Sequence, residues 1–156
     1  MNLISPAFAD GEPIPRKFTR LGDNLCPALK WYGAPAGTKS FVLMIEDPDA
    51  PRGTFYHLGI YNIPPDWEGL PESVDTRPGE GRPRFAKNDF GNVQYDGPQP
   101  PPGHGLHHYH FRLAALEVPA LSIPAAAGVE VMWREARKVA IAEAELVGTY
   151  EVKSEE

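Results

Sequence analysis

The sequence predicts a mostly β domain of antiparallel strands with an α-helix near its C-terminus. Three observations lead to this prediction. Short apolar runs are rich in β-branched and aromatic residues, Pro and Gly separate these runs, and a helical repeat of apolar residues follows them. Strands followed by one helix favour a single sheet or two packed sheets, with the helix against a face or an edge.

Four segments have the composition of strands. Residues 40–46 form the clearest one, a continuous apolar run, and residues 56–63 and 107–116 form two more. Pro or Gly lies at or near the ends of each of these three runs, which is typical of strands that end in turns. Residues 145–152 could return to the sheet as a fourth strand. The polar residues 64–92 are interpreted as a long surface connection that contributes little to the core.

The helix is predicted to start near Gly128. Spacings of three and four residues define one helical face, made of Val129, Met132, Trp133, Ala136, Val139, Ala140 and Glu143. Charged side chains occupy the opposite, solvated face, namely Arg134, Glu135, Arg137 and Lys138.

Length and composition indicate a single domain. A chain of 156 residues with 42% hydrophobic residues can bury one core and is short for two. We therefore expect one domain over residues 1–152 and a frayed tail over residues 153–156.

Charge and cysteine content restrict the classes of partner and compartment. The formal charge of -6 disfavours a nucleic-acid surface, which needs clustered Lys and Arg. No apolar run approaches the roughly 20 residues that cross a bilayer, so we expect no stable membrane insertion. Cys26 is the only cysteine and cannot form an internal disulfide, which fits a cytoplasmic protein. We interpret Cys26 as a packing residue.

Polar residues follow or begin the predicted strands. Asp47 and Asp49 belong to the DPDAP turn, whose two prolines restrict the backbone. Strand alternation places Asp47 on the face of the apolar residues before it, and it places His107 and Tyr109 together on one face. Two histidines such as His57 and His107 can donate hydrogen bonds to phosphate oxygens, and a carboxylate fixes their tautomer. These residue types therefore suggest a small anion pocket.

Each of these features also has a simpler explanation. The DPDAP segment could be an ordinary turn capped by Asp. The cluster of His104, His107, His108 and His110 invites a metal site, but neighbouring strand residues face opposite sides and no Cys partner is available. An Asp/His hydrolase would need a nucleophile, and no G-x-S-x-G elbow is present. We expect no metal, no cofactor and no catalytic residue.

The order of the motifs resembles the phosphatidylethanolamine-binding protein family, in its bacterial and archaeal, Raf kinase inhibitor-like branch. The resemblance covers most of the chain and rests on NLCPALKW at residues 24–31, DPDAP at residues 47–51, His57, GPQPPPG at residues 97–103 and HHY at residues 107–109.

This resemblance implies an antiparallel β-sandwich with a pocket for phosphate or phosphoryl head groups. Carried over residue by residue, it implies ligand-binding roles for Asp47, Asp49, His57, Pro101, His107 and Tyr109. It further implies a cis peptide bond at Ala50-Pro51 and a homodimer. Three positions depart from the family pattern: His108 replaces a usual Arg, Leu58 a usual Trp and Cys26 a usual Ser. A fourth, Gln99, stands where some relatives have a small residue.

We therefore expect a non-enzymatic protein that binds the phosphoryl group of a small molecule, a lipid head group or a phosphoamino acid. The alternative is a regulator of a protein kinase or a protease that docks through the pocket rim and the Pro-rich loop. A hydrolase, such as a phosphoesterase, ranks third.

Overall fold

A computed structural model describes residues 1–154 of the chain. The tail predicted for residues 153–156 therefore lies partly outside the described residues, and it stays a prediction. Within residues 1–154 the regular elements, in chain order, are β1 (Asn2–Ile4), a 3-10 turn (Arg16–Phe18), β2 (Leu29–Tyr32), β3 (Ser40–Asp47), β4 (Phe55–Ile63), β5 (Gly69–Leu70), β6 (Arg84–Phe85), β7 (His107–Leu116), α1 (Val129–Arg137) and β8 (Ala140–Tyr150).

The predicted strands form the larger of the two sheets found in this part of the chain. Its strand order is β6-β4-β3-β7-β8, and the smaller sheet has the order β1-β2-β5. All the pairings are antiparallel. The predictions for β3, β4 and β7 are confirmed to within one residue at each end. The fourth strand begins at Ala140 instead of Glu145 and ends at Tyr150.

Apolar side chains from both sheets form one core between them. The smaller sheet contributes Leu3, Leu29 and Trp31, and the larger sheet contributes Leu43 and Phe111, among other buried residues. Each fully buried Leu or Phe stabilises the fold by about 1.5–3 kcal/mol relative to an exposed one. This packing of two antiparallel sheets confirms the predicted mostly β architecture.

The helix α1 covers the opposite face of the larger sheet. Met132 and Trp133 are buried there against Val42 and Met44 of β3. Gly59 of β4 lets the helix approach closely, since a Cβ at this position would lie 2.9 Å from Val129 Cγ2 and 3.1 Å from Met132 Cε.

The predicted helical face was too long at its C-terminal end. The helix starts at Val129, as expected, but it ends at Arg137, so Val139, Ala140 and Glu143 are not helical. The carbonyl of Val139 instead accepts a hydrogen bond from Glu117 N, just beyond the end of β7. Pairing with β7 therefore replaces the last predicted helical turn.

Residues 64–92 contribute more to the core than predicted. They contain the short strands β5 and β6, and Leu70, Phe85, Ala86 and Asn88 are buried. The indole Nε1 of Trp31 donates to the carbonyl of Trp67 across 2.9 Å. The interpretation as a surface connection with little core is thus wrong for these positions, because isolated apolar residues in a polar stretch carry no periodic signal.

Candidate functional site

A small pocket opens where β3 ends and β7 begins. Asp47 is the last residue of β3, and the antiparallel register with β7 places Glu46 opposite His110. Beyond this last pair of the ladder, Asp47 and Tyr109 both line the pocket. The cavity volume is about 190 Å³. Its lining consists of Asp47, Ala50, Pro51, Phe55, His57, Phe90, Gln99, Pro100, Pro101, His107 and Tyr109.

A β-bulge in β4 turns His57 toward this pocket. Ile45 pairs with Leu58 but Glu46 pairs with Tyr56, so His57 is an extra residue without a partner across the ladder. In a regular strand, His57 would face away from Leu58. With the bulge, Leu58 packs in the core between the sheets while His57 lies edge-on to Tyr109, with ring centroids 5.3 Å apart. Bulges often aim side chains at functional sites in this way.

Asp47 holds His107 in a fixed orientation. The Nδ1 atom of His107 lies 2.6 Å from Asp47 Oδ2, and both side chains are buried. The other oxygen, Asp47 Oδ1, accepts a hydrogen bond from Asp49 N across 2.8 Å. A carboxylate can only accept, so Nδ1 of His107 carries the hydrogen and its Nε2 is left for other partners.

His57 is oriented by the main chain instead of by Asp47. Its Nδ1 lies 2.7 Å from the carbonyl oxygen of Asp96, so Nδ1 donates and Nε2 is the free ring nitrogen. Burial lowers the pKa of His57, although this hydrogen bond and nearby carboxylates oppose the effect. The ring is therefore mainly neutral at pH 7, and Nε2 presents a lone pair. The expectation that Asp47 orients both histidines holds for His107 only.

A cluster of amides supports the backbone that holds His57. The carboxylate of Asp96 is buried and accepts hydrogen bonds from the side-chain amides of Asn24, Asn88, Asn92 and Gln94, at 2.9–3.3 Å. Burial alone would raise the pKa of Asp96, but these hydrogen bonds hold it below its usual range. Sequence reasoning missed Asp96. The signal was the unusual density of Asn and Gln just before it in the chain.

His104 contacts Nε2 of His107, the ring nitrogen that does not bind Asp47. Its Nδ1 lies 2.6 Å from His107 Nε2. Gly103 and Gly105 flank it, both with positive φ, of 74° and 91°. His104 is exposed at the surface, in the loop before β7. Sequence reasoning considered His104 only for a metal site, which it rejected, and did not assign it to the anion pocket.

Arg20 connects two residues of the pocket wall. Its Nη1 donates to Gln99 Oε1 across 2.9 Å, and its guanidinium lies 4.1 Å from the ring centroid of Phe90. Its Nε also lies 3.8 Å from Asp96 Oδ1. No local motif marks Arg20, because its side-chain partners lie 70 or more residues away in the chain.

Five of the six predicted ligand-binding residues line the same pocket. They are Asp47, His57, Pro101, His107 and Tyr109. Asp49 does not line it, because its carboxylate accepts hydrogen bonds from the backbone N and from Nδ1 of His108, at 2.7 and 2.8 Å. Asp49 therefore braces the start of β7 beside the pocket. The ligand-binding roles themselves stay predictions.

Leu58 and Cys26, two of the positions that depart from the family pattern, do not line the pocket. Leu58 is fully buried in the core and does not line the pocket, whose aromatic side chains are instead Phe55, Phe90 and Tyr109. The Ala50-Pro51 bond is trans, so the expected cis bond is wrong here, and trans is the form that ordinary X-Pro bonds prefer. Burial raises the pKa of Cys26 to about 12, which leaves its thiol un-ionised and fits a packing role.

The family model for phosphatidylethanolamine-binding protein matches residues 4–151. The chain belongs to this family. A UPF0098 protein from Aquifex aeolicus is 40% identical over 150 residues, which cover 96% of this chain and 88% of that protein. A Mycobacterium tuberculosis relative, named as the lipoprotein LppC, is 38% identical and matches 97% of this chain and 72% of its own length.

Solved structures agree with this family assignment. The crystal structure of YbcL from E. coli, described as a new member of the mammalian PEBP family, superposes with a TM-score of 0.89 at 31% sequence identity. The match covers 97% of this chain and 98% of YbcL. No helix within residues 1–154 is both long enough and apolar enough to cross a membrane. The cytoplasmic location stays a prediction.

Proposed function

We propose that this protein binds phosphate, or the phosphoryl group of a small ligand, in the pocket of Asp47, His57, His107 and Tyr109. One observation carries the proposal. Two imidazoles from separate strands have their Nδ1 atoms tied to acceptors, so each would meet a ligand through Nε2. Nε2 of His57 has no protein partner within residues 1–154, and Nε2 of His107 contacts only the exposed side chain of His104 there. Imidazoles that gain a proton become donors to an anion. The family assignment supports a binding role of this kind.

The size of the pocket limits the ligand. A cavity of about 190 Å³ is smaller than the roughly 300–1,000 Å³ of sites that enclose drug-sized molecules. A phosphate or a head group fits this space, while the remainder of a larger ligand would lie outside. The sources of the phosphoryl group are a small metabolite, a lipid head group or a phosphoamino acid.

The walls of the pocket favour a compact ligand group beside Asp47, His57 and Tyr109, whose side chains are called the floor of the pocket. Phe55 and Phe90 pack edge to face, with ring centroids 4.8 Å apart, and Pro100 and Pro101 also line the pocket. Apolar walls exclude water and strengthen the polar contacts that a ligand makes at the floor.

Titration with inorganic phosphate, followed by NMR of the imidazole signals, tests the proposal. We expect the signals of His57 and His107 to shift at up to millimolar phosphate, with His110 unaffected. The variants His57→Gln and His107→Gln should weaken binding about tenfold or more, since each loses a hydrogen bond to an anion. His110→Gln is the matched control, because His110 lies on the opposite face of β7 and contacts Glu145. If millimolar phosphate leaves both signals unchanged, the proposal is wrong.

A further inference from the structure

The side chains at the pocket floor offer mainly hydrogen-bond acceptors. Asp47 carries a carboxylate that already receives two N–H groups, an arrangement suited to its ionised form. Nε2 of His57 has no protein partner within residues 1–154, and it presents a lone pair when the ring is neutral. A bare anion at this floor would therefore bring its lone pairs against a negative charge and another lone pair.

The pocket walls supply few donors to offset these acceptors. Pro51, Pro100 and Pro101 have no backbone N–H. Phe55 and Phe90 contribute only ring edges and faces. Nε2 of His107 is engaged by His104 at 2.6 Å. Gln99 also lines the pocket, and because its Oε1 accepts from Arg20, its Nε2 amide is the one side-chain donor among these wall residues.

Tyr109 supplies the clearest donor. Its hydroxyl has no protein partner in the described part of the chain, and burial raises the pKa of Tyr109 well above its ordinary value, so the hydroxyl keeps its hydrogen. The floor thus combines one O–H donor, from Tyr109, with two acceptors, the carboxylate of Asp47 and the Nε2 lone pair of His57. A matching ligand would accept from Tyr109 and also donate a hydrogen of its own.

We propose that the pocket selects phosphate and phosphomonoesters that retain a P–OH group, and that this hydroxyl donates to Nε2 of His57. Phosphodiesters, the form found in intact phospholipids, have no such hydrogen. The inference rests on the proposed function and names its ligand class. A monoester loses its last proton with a pKa of about 6, so its protonated form is well populated in mildly acidic solution.

Several titratable groups influence this preference. The carboxylates of Asp47, Asp89 and Asp96 act on His57, whose ring also packs against Phe55, Phe90 and Tyr109. Around His107 lie Asp47, Asp49, His104 and Tyr109, with Tyr150 opposite it in the ladder. The pH dependence of binding therefore reflects ionisation of the ligand as well as ionisation of the imidazoles. A ligand that does not ionise in this pH range reports the contribution of the imidazoles alone.

Calorimetric titration with two ligands of matched chemistry tests the inference. Phosphorylethanolamine is a monoester, while glycerophosphorylethanolamine is a diester with the same ethanolamine group. At about pH 6 we expect the monoester to bind about tenfold more tightly, the value of one hydrogen bond to a charged group. Its affinity should fall as the pH rises to about 8, following loss of the P–OH hydrogen. The diester has no proton to lose there, so its profile reports the protein's imidazoles alone.

Each outcome decides one of the two proposals. If the diester binds as tightly as the monoester, the ligand class is wrong while the anion pocket stands. If inorganic phosphate, the monoester and the diester all fail to bind, the proposed function itself is wrong. A monoester affinity that rises toward pH 8 would also overturn the inference.

Two variants locate the selection at the proposed atoms. Gln in place of His57 offers both a carbonyl acceptor and an N–H donor, so it can also bind a diester. His57→Gln should therefore bring the ratio of monoester to diester affinity closer to one. Asp47→Asn removes the negative charge and should act in the same direction. His110→Gln should keep the wild-type ratio. An unchanged preference in both variants, with folding verified by thermal unfolding, would contradict the assignment to His57.

Discussion

At the scale of single residues, His104 occupies a position that a ligand would otherwise reach. Its Nδ1 lies 2.6 Å from Nε2 of His107, the nitrogen that Asp47 leaves free. An anion that binds His107 must first displace this contact. Because His104 is exposed on a loop flanked by Gly103 and Gly105, the displacement requires little repacking.

We predict that His104→Ala binds phosphate more tightly than the wild type. Losing the competing hydrogen bond, worth about 0.5–1.5 kcal/mol, should raise affinity by up to about tenfold. Calorimetry measures the change. The control is His108→Ala, since His108 is also exposed but pairs with Asp49 outside the pocket lining. Weaker binding by His104→Ala would instead mean that His104 contacts the ligand.

The buried carboxylate of Asp96 yields a second prediction. Asp96→Asn would place an amide among four amide donors, so we expect a loss of about 1–3 kcal/mol in the free energy of unfolding. Urea unfolding measures it. Asp75→Asn is the matched control, because Asp75 pairs with Arg77 and Arg82 at the surface, where screening by solvent should make its loss much less costly. Equal losses would refute a special role for the amide cluster.

A residue of the site could be predicted when a short stretch of sequence around it carried the evidence. Asp47, His57, His107 and Tyr109 could be predicted because each lies in a short motif at or near the end of an apolar strand. Arg20 and Asp96 could not, since their roles depend on partners from separate loops. Asp49 was assigned to the pocket because DPDAP reads as one unit, whereas the turn directs Asp49 toward His108.

At the scale of elements, close packing of α1 on β4 depends on Gly59. We predict that Gly59→Ala lowers the free energy of unfolding by about 1–3 kcal/mol, because the new methyl group would crowd Val129 and Met132. Val129→Ala alone should destabilise by leaving a cavity. In the double variant the two changes should partly compensate, and a double-mutant cycle by urea unfolding measures this coupling. Additive losses would show that the contact does not limit packing.

Strand prediction succeeded where apolar runs were long. Residues in β3 and β7 are buried almost continuously or alternate cleanly, so their pattern reveals both strand and face. The start of β8 reads Ala140-Ile141-Ala142-Glu143, a composition equally suited to a helix, and only pairing with β7 makes it a strand. The strands β5 and β6 have two residues each, too few for any periodicity.

At the scale of the whole molecule, neutral His57 couples stability to pH. Its pKa is lowered in the folded state, so below about pH 6.5 the unfolded chain binds more protons than the folded one. We predict that the free energy of unfolding falls as the pH drops through this range, before carboxylates such as Asp96 begin to contribute near pH 4. The stability that His57 contributes is therefore present at neutral pH and lost on acidification.

Urea unfolding without phosphate, at several pH values between about 7.5 and 5, measures this slope. His57→Gln should flatten it, because glutamine does not titrate. His110→Gln is the matched control, because it removes a histidine on the other face of the sheet and leaves His57 and its partners unchanged. A slope that is the same in all three proteins would show that His57 does not cause it.

The bulge at His57 has a genetic consequence. Deleting Tyr56 would restore regular pairing at this end of the ladder, in which His57 takes the place opposite Glu46 and faces α1. Phe55 would keep its place opposite Asp47, and the sheet would gain regularity while the pocket lost an imidazole. Loss of a single codon would thus remove the imidazole from the pocket and leave the neighbouring strand pairs in register.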